Sequence, residues 1–236
     1  MKAYIICFIF AILFIYLSEK NFNKKRKVAG TFFFILSLFV VCLIAGVRDL
    51  SVGTDIWYYF YDIFYRFSVK GQSLFFVMSS TSVELGFLLL VYASSIFNNV
   101  HISLFFAELA VALPIYLFAY KQRSKYSMCY TIAIFLLTMY CRSLNLMRQS
   151  IAIALIIYSI PFFEEKKYKK TAIVFIIACL FHFSAIASVL IYIFSMLSRK
   201  KIKYKYMYYF VLFTTLIVIS FGLDKILNCV TWTLFA

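Results

Sequence analysis

Two arginines and two amides press against long apolar runs in the stretch R-S-L-N-L-M-R-Q-S-I-A-I-A at 142–154. On a helix, Arg142, Asn145 and Gln149 fall at i, i+3 and i+7 on one stripe, with Arg148 beside it. Guanidiniums at the mouth of a membrane helix are costly unless they line a wet cavity or hold an anion. Arginine offers a planar, permanently charged fork that suits phosphate or carboxylate. The competing reading is a pair of interfacial arginines reaching out to lipid phosphates. From this stretch alone the two readings stand level.

The other polar groups at membrane depth or its mouth are Arg48, Asp49, Asp55, Glu84, Glu108 and His182. The set mixes anion binders with proton acceptors. It holds no nucleophile motif, no H-E-x-x-H and no phosphate-cradling glycine loop, so neither a metal nor a cofactor is expected. A glutamate inside an apolar run marks a site by default, set against a carboxyl simply bonded to a neighbouring helix. His182, in H-F-S-A beside Ser184, is either a packing histidine or a group that moves a proton near pH 7.

These residues must be carried by membrane helices. Of 236 residues, 65% are hydrophobic, and the mean hydropathy is +0.94. A soluble domain has only about half its residues apolar. The runs are continuous rather than alternating, which excludes the dyad pattern of a β-barrel. The expected fold is therefore all-α: a polytopic α-helical membrane protein with about eight hydrophobic helices. Residues 1–236 are read as one transmembrane helical domain. The net charge of +15 sits mostly in short connectors between apolar runs, the pattern of topology signals. Anionic membrane lipid, not nucleic acid, is the partner this implies. The six cysteines lie in or beside apolar runs without a C-x-x-C and read as small hydrophobes.

Along the chain, Met1 to Leu17 reads as an uncleaved first span and Val28 to Val47 as the second. The aromatic segment Ile56 to Val69 is too charged for a span and reads as a helix lying in the interface. Leu74 to Phe97 and Ile102 to Tyr120 follow as spans. Met128 to Cys141 and Ser150 to Phe163 are short, which suggests a re-entrant segment meeting its neighbour at a polar point. Thr171 to Leu197 reads as a span with His182 near its middle, and Tyr206 to Phe221 as another. Ile226 to Ala236 looks like the start of a further span, as in a C-terminally shortened chain. Simple alternation puts the connectors 18–27, 142–148 and 198–205 on one side, and 48–73, 121–127 and 164–170 on the other. Lys and Arg then balance across the membrane. One non-crossing segment within 54–163, bringing Arg48 and Arg148 to the same face, is the preferred resolution.

Four motifs recur in order: G-V-R-D-L-S-V-G-T-D-I-W-Y-Y at 46–59, E-L-G-F at 84–87, M-R-Q-S-I-A at 147–152 and A-C-L-F-H-F-S-A at 178–185. Together, over roughly residues 40–195, they resemble the EpsG family, related to the Wzy-type polymerases of bacterial surface and exopolysaccharide. Family members usually continue through more spans than this chain. The resemblance implies polymerisation of lipid-linked oligosaccharide repeat units at the outer side of the cytoplasmic membrane, by a multi-pass enzyme of glycosyltransferase type; no metal is needed, because the arginines can do the charge work of a divalent ion. It carries over Arg48, Gly53, Thr54, Asp55, Glu84, Arg148, Gln149 and His182, and less directly Tyr58, Arg142 and Asn145.

On that resemblance the donor is a polyprenyl-diphosphate-linked oligosaccharide. Arg148 and Arg48 would hold the diphosphate as the bond to the sugar breaks. Glu84, then Asp55, then His182 are the candidate bases. The aromatic belt would sit beside the sugar, as a stacking surface or a simple anchor. Arg48, Gly53, Thr54, Tyr58, Arg142, Asn145 and Gln149 form the expected binding set. Other polysaccharide-assembly membrane proteins are the expected protein partners. Two rival functions are a flippase or exporter of the same glycolipid and a non-catalytic scaffold of the assembly machinery.

Overall fold

The computed structural model describes residues 2–199, and these are helical, with no strand among them. They fall in two units, Met1–Ile186 and Ala187–Ala236; helix α11, Val189–Arg199, belongs to the second. The expected spans Tyr206 to Phe221 and Ile226 to Ala236 lie outside the described residues. Everything below concerns the first unit.

Helices α1 (Lys2–Asn23) and α2 (Lys27–Gly46) form a hairpin around a tight turn, with Lys25 in the left-handed region at φ 58°. Small residues let their backbones approach. Ser18 Oγ donates to Gly30 O at 2.8 Å and Ser37 Oγ to Ala11 O at 2.7 Å, both buried. Helix α6 (Val100–Lys121) packs on α2, and Tyr116 Oη lies 2.9 Å from Ser37 Oγ. These three helices are long and apolar enough to cross a membrane. Helix α7 (Met128–Thr138) lies against α1. Helices α9 (Met147–Glu164) and α10 (Tyr168–Phe181) pair with each other, and α9 also packs on α6.

Several apolar runs that read as continuous are broken. Leu74 to Phe97 divides into α4 (Leu74–Ser80) and α5 (Leu85–Ser95), with Glu84 at the entry to α5. The run through His182 stops at Phe181; His182 is extended (φ −159°, ψ 126°), and a 3-10 stretch, Phe183–Ser188, follows. His182 therefore sits at a helix end, not in mid-span. The arginine stripe is broken too. Helix α8 (Tyr140–Ser143) ends before α9 begins at Met147, so Arg142 and Gln149 do not share one helical face.

The aromatic segment is helical, as a π turn at Ile56–Phe60 running into α3 (Tyr61–Ser68). Ile56, Phe60, Ile63, Phe64 and Phe67 are buried, while Trp57 and Tyr58 stand 65% and 76% exposed.

The connectors do not follow simple alternation; Arg48 and Arg148 come to the same end of the unit, as the preferred resolution has it. Ser127 Oγ donates to Glu19 at 2.8 Å, Lys121 pairs with Glu165 at 2.9 Å, and Lys125 pairs with Glu164 at 3.3 Å. Connectors 18–27, 121–127 and 164–170 thus gather at one end of the unit. Residues 48–55, 84, 142–148 and 182 gather at the other. The alternation fails because it counts α4 and α5 as one full crossing, whereas the chain breaks between them at the polar end.

Candidate functional site

Four chain breaks converge at that polar end, and each brings one polar side chain. The N-terminus of α9 is the hub. Its first amide, at Met147, donates to Asp55 Oδ2 at 3.0 Å, placing a carboxylate at the positive end of the helix dipole. Asp55 is only 9% exposed; burial pushes its carboxyl above the usual 3.8, and the Arg148 charge and the Met147 amide oppose that rise. The loop carrying Asp55 fits closely under the 144–147 break. Gly53 has φ +116°, and a Cβ there would run into the Leu144 carbonyl oxygen, so both the angle and the space call for glycine. Thr54 Oγ1 donates to Asn145 O at 3.4 Å.

One residue into α9, Arg148 is held on two sides. Its Nη1 pairs with Glu84 Oε2 at 2.5 Å, and its guanidinium lies 4.3 Å over the Tyr59 ring. Glu84 uses its other oxygen for His182 Nδ1, at 2.7 Å. With Nδ1–H donated to the carboxylate, Nε2 is the acceptor nitrogen of the neutral ring. Burial raises the Glu84 carboxyl, but its own backbone amide, Arg148 and His182 outweigh this and hold it below the usual 4.5. Gly86 permits the pairing: a Cβ there would lie 2.8 Å from Leu180 O, where α5 crosses the end of α10.

Arg48 is placed differently from the rest. It is 5% exposed, and Nη2 lies 3.6 Å from Met147 Sδ, so its charge is packed behind the break. Glu108 is close enough to offset part of the burial cost of that guanidinium. Ser143 Oγ lies 3.0 and 3.1 Å from the two Glu108 carboxyl oxygens. Of the other expected residues, Arg142, Asn145 and Tyr58 are exposed, and Gln149 is half-buried on the first turn of α9. Asn145 Nδ2 donates to Cys141 O at 3.3 Å. Asp49 is exposed and accepts from Ser51 N at 2.8 Å. Among the described residues, no three His, Cys, Asp or Glu side chains gather as metal ligands.

Glu84, Arg148, His182 and Asp55 are therefore brought together, with Gly53 and Thr54 beneath them. Sequence reasoning missed Tyr59, Gly86 and Ser143 as participants. The glycine had a signal, two positions after an acidic residue at a helix start; Tyr59 was masked by its aromatic neighbours.

A carboxylate tied to a guanidinium and an imidazole, beside a helix N-terminus, can bind an anion and move a proton. The EpsG family matches residues 31–235, which include all four motifs. No curated protein and no solved structure matches the chain. With its polar cluster and apolar helices inside that match, this membrane protein belongs to the EpsG family, a Wzy-type polymerase family that acts in exopolysaccharide biosynthesis.

Proposed function

We propose that the chain polymerises lipid-linked oligosaccharide repeat units by glycosyl transfer, at the outer face of the cytoplasmic membrane, in exopolysaccharide or capsule biosynthesis. The observation that carries the reading is Arg148, fixed between Glu84 and Tyr59 at the start of α9. In the transfer, the acceptor hydroxyl oxygen bonds to C1 of the donor sugar, and the bond from C1 to the polyprenyl diphosphate breaks. Negative charge grows on the departing diphosphate, and a preorganised guanidinium lowers that barrier most. Arg148 supplies this charge, so the reading needs no metal. The acceptor proton passes to His182 Nε2, while Glu84 holds the ring by Nδ1, the orienting logic of a carboxylate–histidine pair. Asp55 keeps the α9 N-terminus in place beside them. Arg48 contributes positive charge from within the packing rather than a direct grip on the donor.

Membrane placement follows from the two ends. Lys20, Lys24, Arg26, Lys27, Lys121, Arg123 and Lys125 share one end with the 166–170 lysines. By the positive-inside rule that end is cytoplasmic, and the Glu84 cluster opens on the outer side. On this reading the chain is multi-pass, α3 to α5 enter the outer half without crossing, and Trp57 and Tyr58 face the glycan at headgroup level.

The test is polysaccharide chain length, resolved on a gel, in cells carrying Arg148→Ala at matched protein level. Collapse to single-repeat material supports the polymerase. Loss of export of even one repeat would indicate a flippase, and an unchanged ladder would indicate a scaffold.

A further inference from the structure

At the opposite end of α1 from this cluster, a pocket of about 540 Å³ opens between the last turn of α1 and the first turn of α7. Tyr16, Lys20 and Asn23 line it from α1 and Lys24 from the turn that follows, with Ser127 at the N-cap of α7 and Tyr130 within it. Glu19 also borders it, with one carboxylate oxygen turned to α7. Oε2 accepts from Ser127 Oγ at 2.8 Å and from the Cys129 amide at 3.0 Å, which caps α7. Lys20 and Lys24 are exposed and one helical turn apart, and neither has an ion pair among the described residues. The pocket thus presents two ammonium groups, an amide and two phenols against the single Glu19 carboxylate, which leaves a net positive charge.

Two apolar stripes lead away from it. On α1, Ile9, Leu13 and Tyr16 are exposed and continue the line of Lys20 at helical spacing. On α7, Tyr130, Ile134 and Leu137 are exposed in the same way. The helices are antiparallel neighbours, as the Ser127–Glu19 bond at one end and the edge-on Tyr4–Tyr140 rings at the other require. Both stripes therefore run in the same direction from the pocket. From Lys20 to Ile9 the helix rises about 16 Å, close to half of a hydrocarbon core about 30 Å thick. That is the depth of one leaflet.

We infer that this is a binding site for an anionic phospholipid. The phosphate sits between Lys20 and Lys24, the headgroup fills the pocket, and the acyl chains lie along the two stripes. A free phosphate would use the lysines but not the stripes. A zwitterionic lipid would use the stripes but would set its own cation against two others.

The test uses native mass spectrometry of the full chain in neutral detergent, where no membrane surface potential acts, with phosphatidylglycerol or phosphatidylcholine added. The expected result is retention of phosphatidylglycerol over phosphatidylcholine. Retention falls at least about tenfold in the Lys20→Ala/Lys24→Ala double variant. It is unchanged in Lys25→Ala/Lys27→Ala, which removes the same charge outside the pocket, and unaffected by millimolar inorganic phosphate. Equal losses in the two double variants, equal retention of the two lipids, or displacement by phosphate would each overturn the assignment. A thermal melt of each variant in detergent separates lost binding from lost fold. Polymerase activity is not the readout, so failure here leaves the Glu84 cluster untouched.

Discussion

A Cβ on Gly86 would stand 2.8 Å from the Leu180 carbonyl oxygen. Two residues before Gly86 is Glu84, two after Leu180 is His182, and these meet at 2.7 Å. The close crossing of α5 over the end of α10 is what holds the pair. Gly86→Ala should therefore part Glu84 from His182 while leaving Arg148 bound. Overpacking of this kind costs about 1–3 kcal/mol, which a thermal melt will read. Chain length should shorten far more than the stability loss accounts for; normal-length polymer would show that the crossing does not serve the chemistry.

Asp55 allows fold and chemistry to be separated. Burial raises its carboxyl, so its contribution to stability is present below the usual 3.8 and is lost as pH rises through the higher folded value. Asp55→Asn removes that cost at neutral pH, and the amide oxygen can still accept from the Met147 amide. The melting temperature should hold or rise, while polymer shortens for lack of the charge beside Arg148. A variant with full-length polymer would remove Asp55 from the reaction.

Glu84 carries the opposite sign. Its carboxyl is raised by burial but held lower overall by its own amide, Arg148 and His182, so the unfolded chain binds the proton more readily. Its contribution is complete above pH 4.5 and is lost as pH falls through the folded value. Wild-type stability in detergent should therefore drop on acidification in that range. Glu84→Gln should start lower and fall less steeply. Parallel pH profiles would mean that the pairing contributes nothing to the fold.

Arg148→Lys keeps the charge but gives up the planar fork and its seat on Tyr59. Polymer length should fall between wild type and Arg148→Ala. Tyr59→Phe, which keeps the ring, should be close to wild type, whereas Tyr59→Ala should resemble the lysine variant. If Tyr59→Ala makes normal polymer, the ring is only a packing neighbour.

Ser143→Ala leaves the Glu108 carboxyl, 3% exposed, without its hydroxyl partner. A buried polar group left unmet costs about 1–3 kcal/mol. The double variant Ser143→Ala/Glu108→Leu should melt lower still, because it also strips the buried Arg48 guanidinium of the carboxyl that offsets its burial. A double variant as stable as the single would show that Glu108 does not support Arg48.

Much of this was legible in the residues. Four motifs in order carry the family resemblance, and Glu84, Arg148, His182 and Asp55 all stand out in the sequence as polar groups in or beside apolar runs. What was misread was continuity. Leu74 to Phe97 and the run through His182 looked like whole spans because hydropathy records preference for lipid and is blind to where a helix stops. The stops depend on distant groups: Asp55 meeting the Met147 amide, and Gly86 passing Leu180. The 142–154 stripe failed for the same reason, since helical spacing assumes a helix that the 144–146 break interrupts.

The sequence by itself determined that this is an apolar helical membrane protein of the EpsG family, and which few polar residues it cannot leave in lipid. Only the tertiary structure decided their pairing and their shared end. Glu84 and His182 are 98 residues apart in the chain. No local pattern encodes that meeting. An unpaired polar group in an apolar interior costs several kcal/mol, so a polar group is driven toward a partner, even though Arg48 Nε is left without one among the described residues. The helix ends that packing brings together decide which partner it finds.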